Sequence, residues 1–80
     1  MPKPQKKSKS RMRISQAAAA AGVSKQTVEY YILVGLLQPI RVGGARFFDD
    51  ALVRRIQLIR QLNDSGYTLR SIRETYFTGK

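Results

Sequence analysis

Four polar side chains crowd one short stretch, Lys25, Gln26, Glu29 and Tyr30, and two arginines, Arg41 and Arg46, flank the pair Gly43-Gly44 further on. Ammonium, amide and carboxylate groups can hydrogen-bond to base edges, and a guanidinium fork matches the oxygens of a phosphate. Catalytic equipment is sparse by comparison. The chain has no cysteine and no histidine, which removes thiolate nucleophiles, the usual zinc ligands and imidazole acid-base chemistry. The five acids, Glu29, Asp49, Asp50, Asp64 and Glu74, show no metal-ligand spacing, and no glycine-rich loop leads into a helix as a phosphate cradle requires. The expectation is no enzyme, no cofactor and no metal.

Charge points to the kind of partner. Fifteen Lys and Arg stand against five Asp and Glu, a net charge of +10 over 80 residues, so a polyanion is expected. The charge is uneven: Lys3, Lys6, Lys7, Lys9, Arg11 and Arg13 all precede Ile14, with no acid and two prolines among them. Residues 1–13 are therefore expected to form a disordered basic arm that lies along phosphates, and residues 14–77 one folded domain. The run Ala17 to Ala21 is too short and too weakly apolar for a signal peptide, and nothing approaches a membrane span. A cytoplasmic, nucleoid-associated protein with no membrane partner is the expectation.

The polar residues need a scaffold, and the pattern supplies one in order. An alanine-rich helix over about 15–21, with Ser15 as its cap, ends at Gly22, and Ser24 caps a second helix running to Leu33. Pro39 opens an extended run, Ile40 to Val42, and Gly43-Gly44 turns it into a second, Ala45 to Phe48, a β-hairpin with a two-residue turn. Asp49 caps a helix of about 50–63 with the apolar stripe Leu52, Val53, Ile56, Ile59 and Leu62. Gly66 ends it, and Thr68 caps a last helix with Leu69, Ile72 and Tyr76 on one face. The fold class is mostly α with a small β-hairpin: helix, helix, hairpin, helix, helix.

The first two helices meet the demands of a helix-turn-helix. Ala18 lets the helices cross closely, Gly22 takes a positive φ, and Val28 buries against the first helix. With Val28 and Tyr31 turned inward, Lys25, Gln26, Glu29 and Tyr30 face out, where a recognition helix meets base edges. In the hairpin the turn pairs Val42 with Ala45, Arg41 with Arg46 and Ile40 with Phe47. Ile40, Val42, Ala45 and Phe47 are then expected on an inward apolar face, and Arg41 and Arg46 opposite each other with a phosphate between them.

The stretch Ile14-Ser15-Gln16-Ala17-Ala18 through Gly22-Val23-Ser24, then Thr27-Val28-Glu29-Tyr30-Tyr31, Val34-Gly35-Leu36-Leu37 and Pro39, resembles the MerR family signature. The likeness continues through Gly44-Ala45-Arg46-Phe47-Phe48-Asp49, Ile56 to Leu62, and Gly66-Tyr67-Thr68-Leu69 to Ile72. It implies a winged helix-turn-helix that binds double-stranded DNA as a sequence-specific transcription regulator. The resemblance nominates Ser24, Lys25, Gln26 and Tyr30 on the recognition helix, Arg46 on the wing, and Tyr67 with Thr68 at a second backbone grip; Arg70 beside them joins the candidate set, and Tyr31 is assigned mainly to the core. Two residues depart from the family: Glu29 stands where a basic residue is usual, and Ala45 where an aromatic is. Glu29 is expected to accept from a cytosine amine rather than to meet phosphate. Family regulators continue into a long pairing helix and an effector region, whereas here Thr78-Gly79-Lys80 follow Phe77, so the isolated chain is expected to be a monomer that pairs only with help from DNA.

Two other readings stay open. An excisionase-like architectural factor shares this winged helix and needs no effector domain; binding to phased repeats with bending would mark it, where a palindrome would mark a regulator. A basic RNA-binding protein is compatible with the charge, but an inward Phe47 leaves the wing no stacking platform. A pure protein-interaction module fits less well, because the surface is more basic than such interfaces.

Overall fold

Gly22, in the left-handed region at φ 78°, turns an alanine-rich helix sharply into the next one, and this turn organises the domain. The computed structural model describes residues 11–77; the first ten residues of the expected arm lie outside the described residues. The elements are α1 (Ile14–Ala21), α2 (Lys25–Leu33), β1 (Ile40–Val42), β2 (Ala45–Phe47), α3 (Asp50–Asp64) and α4 (Leu69–Tyr76). Three of the helices start at the expected caps. The Ser24 hydroxyl accepts from the Thr27 N–H, the Asp49 carboxylate from Leu52 and the Thr68 hydroxyl from Ser71, each at 2.9–3.0 Å.

The first helix starts earlier than Ser15 would have it. Met12 exchanges two backbone hydrogen bonds of 2.8 Å with Phe48, which fixes the incoming chain, and Arg13 becomes the N-cap with its own N–H donated to Gln16 Oε1 at 3.0 Å. Arg11, Met12 and Arg13, the last residues of the expected arm, thus make contacts with the folded domain.

α1 packs on both α2 and α3, and α4 packs on α3. Ala17, Ala18 and Ala21 permit the double contact because they present little more than a methyl group, and all three are buried. Around them Val28, Tyr31, Leu36, Leu37, Phe48, Val53, Ile56, Ile59 and Ile72 close one core. Phe48 is wholly buried, a contribution of about 1.5–3 kcal/mol relative to leaving it in water. Tyr76 departs from the face it was expected to share with Leu69 and Ile72: it is 48% exposed, its ring edge-on to Tyr67 at 6.3 Å, while α4 meets the core through Ile72 and Leu69. Phe77 is half-buried with the Arg55 guanidinium 3.9 Å from its ring centre.

The hairpin has the expected antiparallel register, Ile40 to Phe47, Arg41 to Arg46 and Val42 to Ala45. Its faces are the reverse of the expectation. Side chains two apart on an extended strand share a face, and Phe48, not Phe47, is the core residue. Arg46 and its partner Arg41 therefore lie on the body side, while Ile40 and Val42 are 41% and 44% exposed and Phe47, half-buried, meets the guanidinium groups of Arg11 and Arg13, 5.6 and 5.2 Å from its ring centre. Of two adjacent phenylalanines, the one bridged to Met12 takes the core. Among the described residues no helix is long and apolar enough to cross a membrane, and no cluster of acidic residues could hold a metal ion.

Candidate nucleic-acid interface

α2 buries Val28 and Tyr31 and leaves Lys25, Gln26, Glu29 and Tyr30 exposed, the division expected from helical periodicity. Lys25, Gln26 and Glu29 share the first two turns of the helix, and Tyr30 is 51% exposed beside them. Ser24 has a different part. Its oxygen accepts the Thr27 N–H at 3.0 Å and lies 2.9 Å from the Thr27 hydroxyl, so it starts the helix that carries the others. Tyr31 is core, and its phenol is held above its ordinary pKa by burial first and the Asp64 carboxylate second, against the opposing effect of Arg60.

The hairpin is tied to this face by one contact. Arg46 donates from Nη1 to Glu29 Oε1 at 3.1 Å and from Nη2 to Oε2 at 2.9 Å, a two-pronged pair that spans from β2 to α2. Each partner shifts the other. The hydrogen bond from Arg46 holds the Glu29 carboxyl below its ordinary range against a desolvation effect, with Lys25 one turn away adding to the pull. The same bond raises the Arg46 pKa. In the free chain a carboxylate therefore sits where a phosphate had been expected at Arg46, and it relieves the repulsion of two arginines paired across the strands. Arg41, on the same face, is exposed.

On the far side of α2 an open groove runs between Gln26, Thr27 and Tyr30 on one wall and Arg60, Asn63, Asp64 and Leu69 on the other. The remaining candidates cluster at the start of α4. Tyr67 is 47% exposed, Thr68 caps the helix through Ser71, and Arg70 is paired with Glu74 one turn on at 3.4 Å. The Tyr67 carbonyl is held by Asn63 Nδ2 at 2.7 Å, which fixes the turn to the end of α3.

Two arginines of α3 do positioning work. Arg60 donates from Nη1 to the Gly22 carbonyl at 2.6 Å, bracing the helix-turn-helix corner against α3. Arg55 donates from Nε to the Leu36 carbonyl at 3.0 Å and lies over Phe77. Nothing in the local sequence pairs position 60 with position 22, and only the tertiary arrangement reveals it.

A model of the MerR HTH family regulatory protein matches residues 12–76. The HTH-type transcriptional regulator CueR of Bacillus subtilis (strain 168) is 38% identical over 63 residues, covering 78% of this chain and 44% of that protein. The HTH-type transcriptional regulator MerD of Serratia marcescens is 40% identical over 58 residues, covering 70% of this chain and 48% of MerD. Among solved structures, the transcription regulator PbrR691 from Ralstonia metallidurans CH34, in complex with lead(II), superposes with a TM-score of 0.74 at 35% identity, covering 79% of this chain and 51% of that one. The chain thus spans less than half the length of these two curated relatives.

Proposed function

The chain belongs to the MerR family of helix-turn-helix regulatory proteins, and from that premise we propose that it binds duplex DNA sequence-specifically to regulate transcription, without catalysis. The observation that carries this reading is the exposed group Lys25, Gln26, Glu29 and Tyr30 on α2, standing beside a hairpin that presents Arg41 to the same side. A helix of this width fits the major groove, and a flanking arginine suits the backbone. Lys25, Gln26 and Tyr30 read bases; Arg41, Tyr67, Thr68 and Arg70 position the domain on phosphates, with Ser24 orienting the reading helix. Arg46 and Glu29 complete the set as a coupled pair.

The isolated chain acts as a monomer. Support comes from its last aromatics: Phe77 is half-buried under Arg55 and Tyr76 is engaged by Tyr67, so neither is left as a bare pairing patch. Selection of bound duplexes from a random pool tests the functional reading. One enriched motif spanning about a helical turn is expected for each bound copy; no enrichment, or preference for single-stranded RNA over duplex, refutes it.

A further inference from the structure

The two wing arginines share a face but not a state. Arg46 is gripped at both Nη atoms by Glu29, whereas Arg41, directly opposite it in the register, is exposed and has no ion pair among the described residues. The grip is accessible: the Arg46 and Glu29 side chains retain 29% and 48% of their exposure. Half-exposed ion pairs are weak and exchangeable, so a competing anion can take the arginine without unfolding anything. The carboxylate, for its part, stands on the reading face of α2 between Lys25 and the hairpin.

Resting on the duplex-DNA reading above, we propose that the Glu29–Arg46 fork is a latch that withholds the wing arginine from phosphate until a base amine takes over the Glu29 carboxylate. A cytosine N4 or an adenine N6 amine offers Glu29 the hydrogen it would lose. The released guanidinium then keeps a two-pronged partner, because phosphate oxygens match the same fork. At a site whose base pair turns guanine O6 or thymine O4 rather than its amine towards Glu29, releasing Arg46 leaves the carboxylate facing an acceptor close to the phosphate backbone, which is unfavourable. Arg41 therefore grips every sequence and Arg46 only those that satisfy Glu29, which makes Glu29 a specificity-determining residue acting partly through the wing.

The test compares the full chain with Glu29→Gln, Arg46→Gln, the double variant and Arg41→Gln. The readout is affinity against salt, by fluorescence anisotropy on a random-sequence duplex of about 20 base pairs, two helical turns. Arg41→Gln weakens binding and makes the salt slope shallower by about 0.9, the value for one phosphate contact. Glu29→Gln tightens binding about three- to fivefold, the fold-change that corresponds to the upper range for an exposed pair, and steepens the slope by about 0.9. In the double variant that gain disappears. The latch is overturned if Glu29→Gln gives the same gain with and without Arg46, because Glu29 would then act through net charge alone. It is equally overturned if Glu29→Gln leaves the salt slope no steeper than in the unaltered chain, because no further phosphate contact would then have formed. Absence of duplex binding by the unaltered chain would remove the DNA reading itself, and the latch with it.

Discussion

Gly22 and Gly44 make opposite predictions for the same substitution. Gly22 sits at φ 78°, and a Cβ built there meets only the Arg60 Nη1 at 3.7 Å, ordinary van der Waals contact. The cost of Gly22→Ala is thus backbone strain, about 1–2 kcal/mol for an L-residue in the left-handed region. Against it stands a gain of about 0.4–1 kcal/mol from a stiffer unfolded chain, leaving a net loss of about 1 kcal/mol. Gly44 is not among the glycines with positive φ, and its Cβ would meet nothing within 4 Å, so Gly44→Ala keeps only the gain. For a domain of this size 1 kcal/mol moves Tm by about 4–8 °C. Thermal melts followed by circular dichroism should show Gly22→Ala lowered by that amount and Gly44→Ala level with the parent or a few degrees above it. A Gly22→Ala variant melting at or above the parent would refute the assignment of this corner to a strained, glycine-dependent turn.

Further outcomes follow from the charged groups. Lys25→Ala and Gln26→Ala should each change the duplexes selected from a random pool, whereas Arg41→Ala should weaken all duplexes alike; unaltered selection by both helix variants would place the reading face elsewhere. The intact chain should bind with a log-log salt slope of about −5, as for roughly six neutralised phosphates, and deletion of residues 2–10 should bring it nearer −3, as for about three; an unchanged slope would take the four lysines of that segment out of the interface. Since the Glu29 carboxyl is held below its ordinary range, the bridge is intact above that range and lost as pH falls through the lowered value. An acid titration of the Arg46 side-chain NMR signals should show that transition, and Glu29→Gln should abolish it. Sedimentation equilibrium at tens of micromolar, roughly where weak pairing would register, should return the monomer mass, and a stable dimer without DNA would exclude the assignment of Tyr76 and Phe77 to contacts within one chain.

The helices were legible because each carries a local signature. Ser24, Asp49 and Thr68 announce their own caps, Gly22 its own turn, and Val53, Ile56 and Ile59 the buried stripe of α3. The hairpin register was legible from Gly43-Gly44 for the same reason. Its facing was not. Phe47 and Phe48 are chemically equal candidates for the core, and a shift of one residue exchanges the faces of a strand. What decides between them is the bridge from Met12, a contact between residues 36 positions apart in the chain that leaves no periodic trace. The same limit hid the Glu29 partner: a carboxylate on an exposed helical face looks solvated until the wing is folded back beside it. Ser15 failed as a cap because the incoming strand at Met12 fixed the helix start earlier than local preference would.

A small core explains why so many of the arginines hold the structure rather than the partner. The buried set is mostly aliphatic, its alanines filling little volume, and a domain of this length removes only a modest share of its surface from water. Long cationic side chains supply part of what is missing, with stems that lie on apolar surface and heads that satisfy carbonyls. Arg55 ties Leu36 to α3 and covers Phe77, Arg60 braces Gly22, and Arg11 and Arg13 cover Phe47. Arg46 holds the hairpin against α2. Net charge therefore overstates the grip on a polyanion, because a guanidinium already bonded within the fold must exchange a partner before it can neutralise a phosphate. Under the proposed latch, the strength of the wing's hold depends on how readily Glu29 lets its arginine go, so that a single carboxylate on α2 would link the choice of sequence to the hold on the backbone.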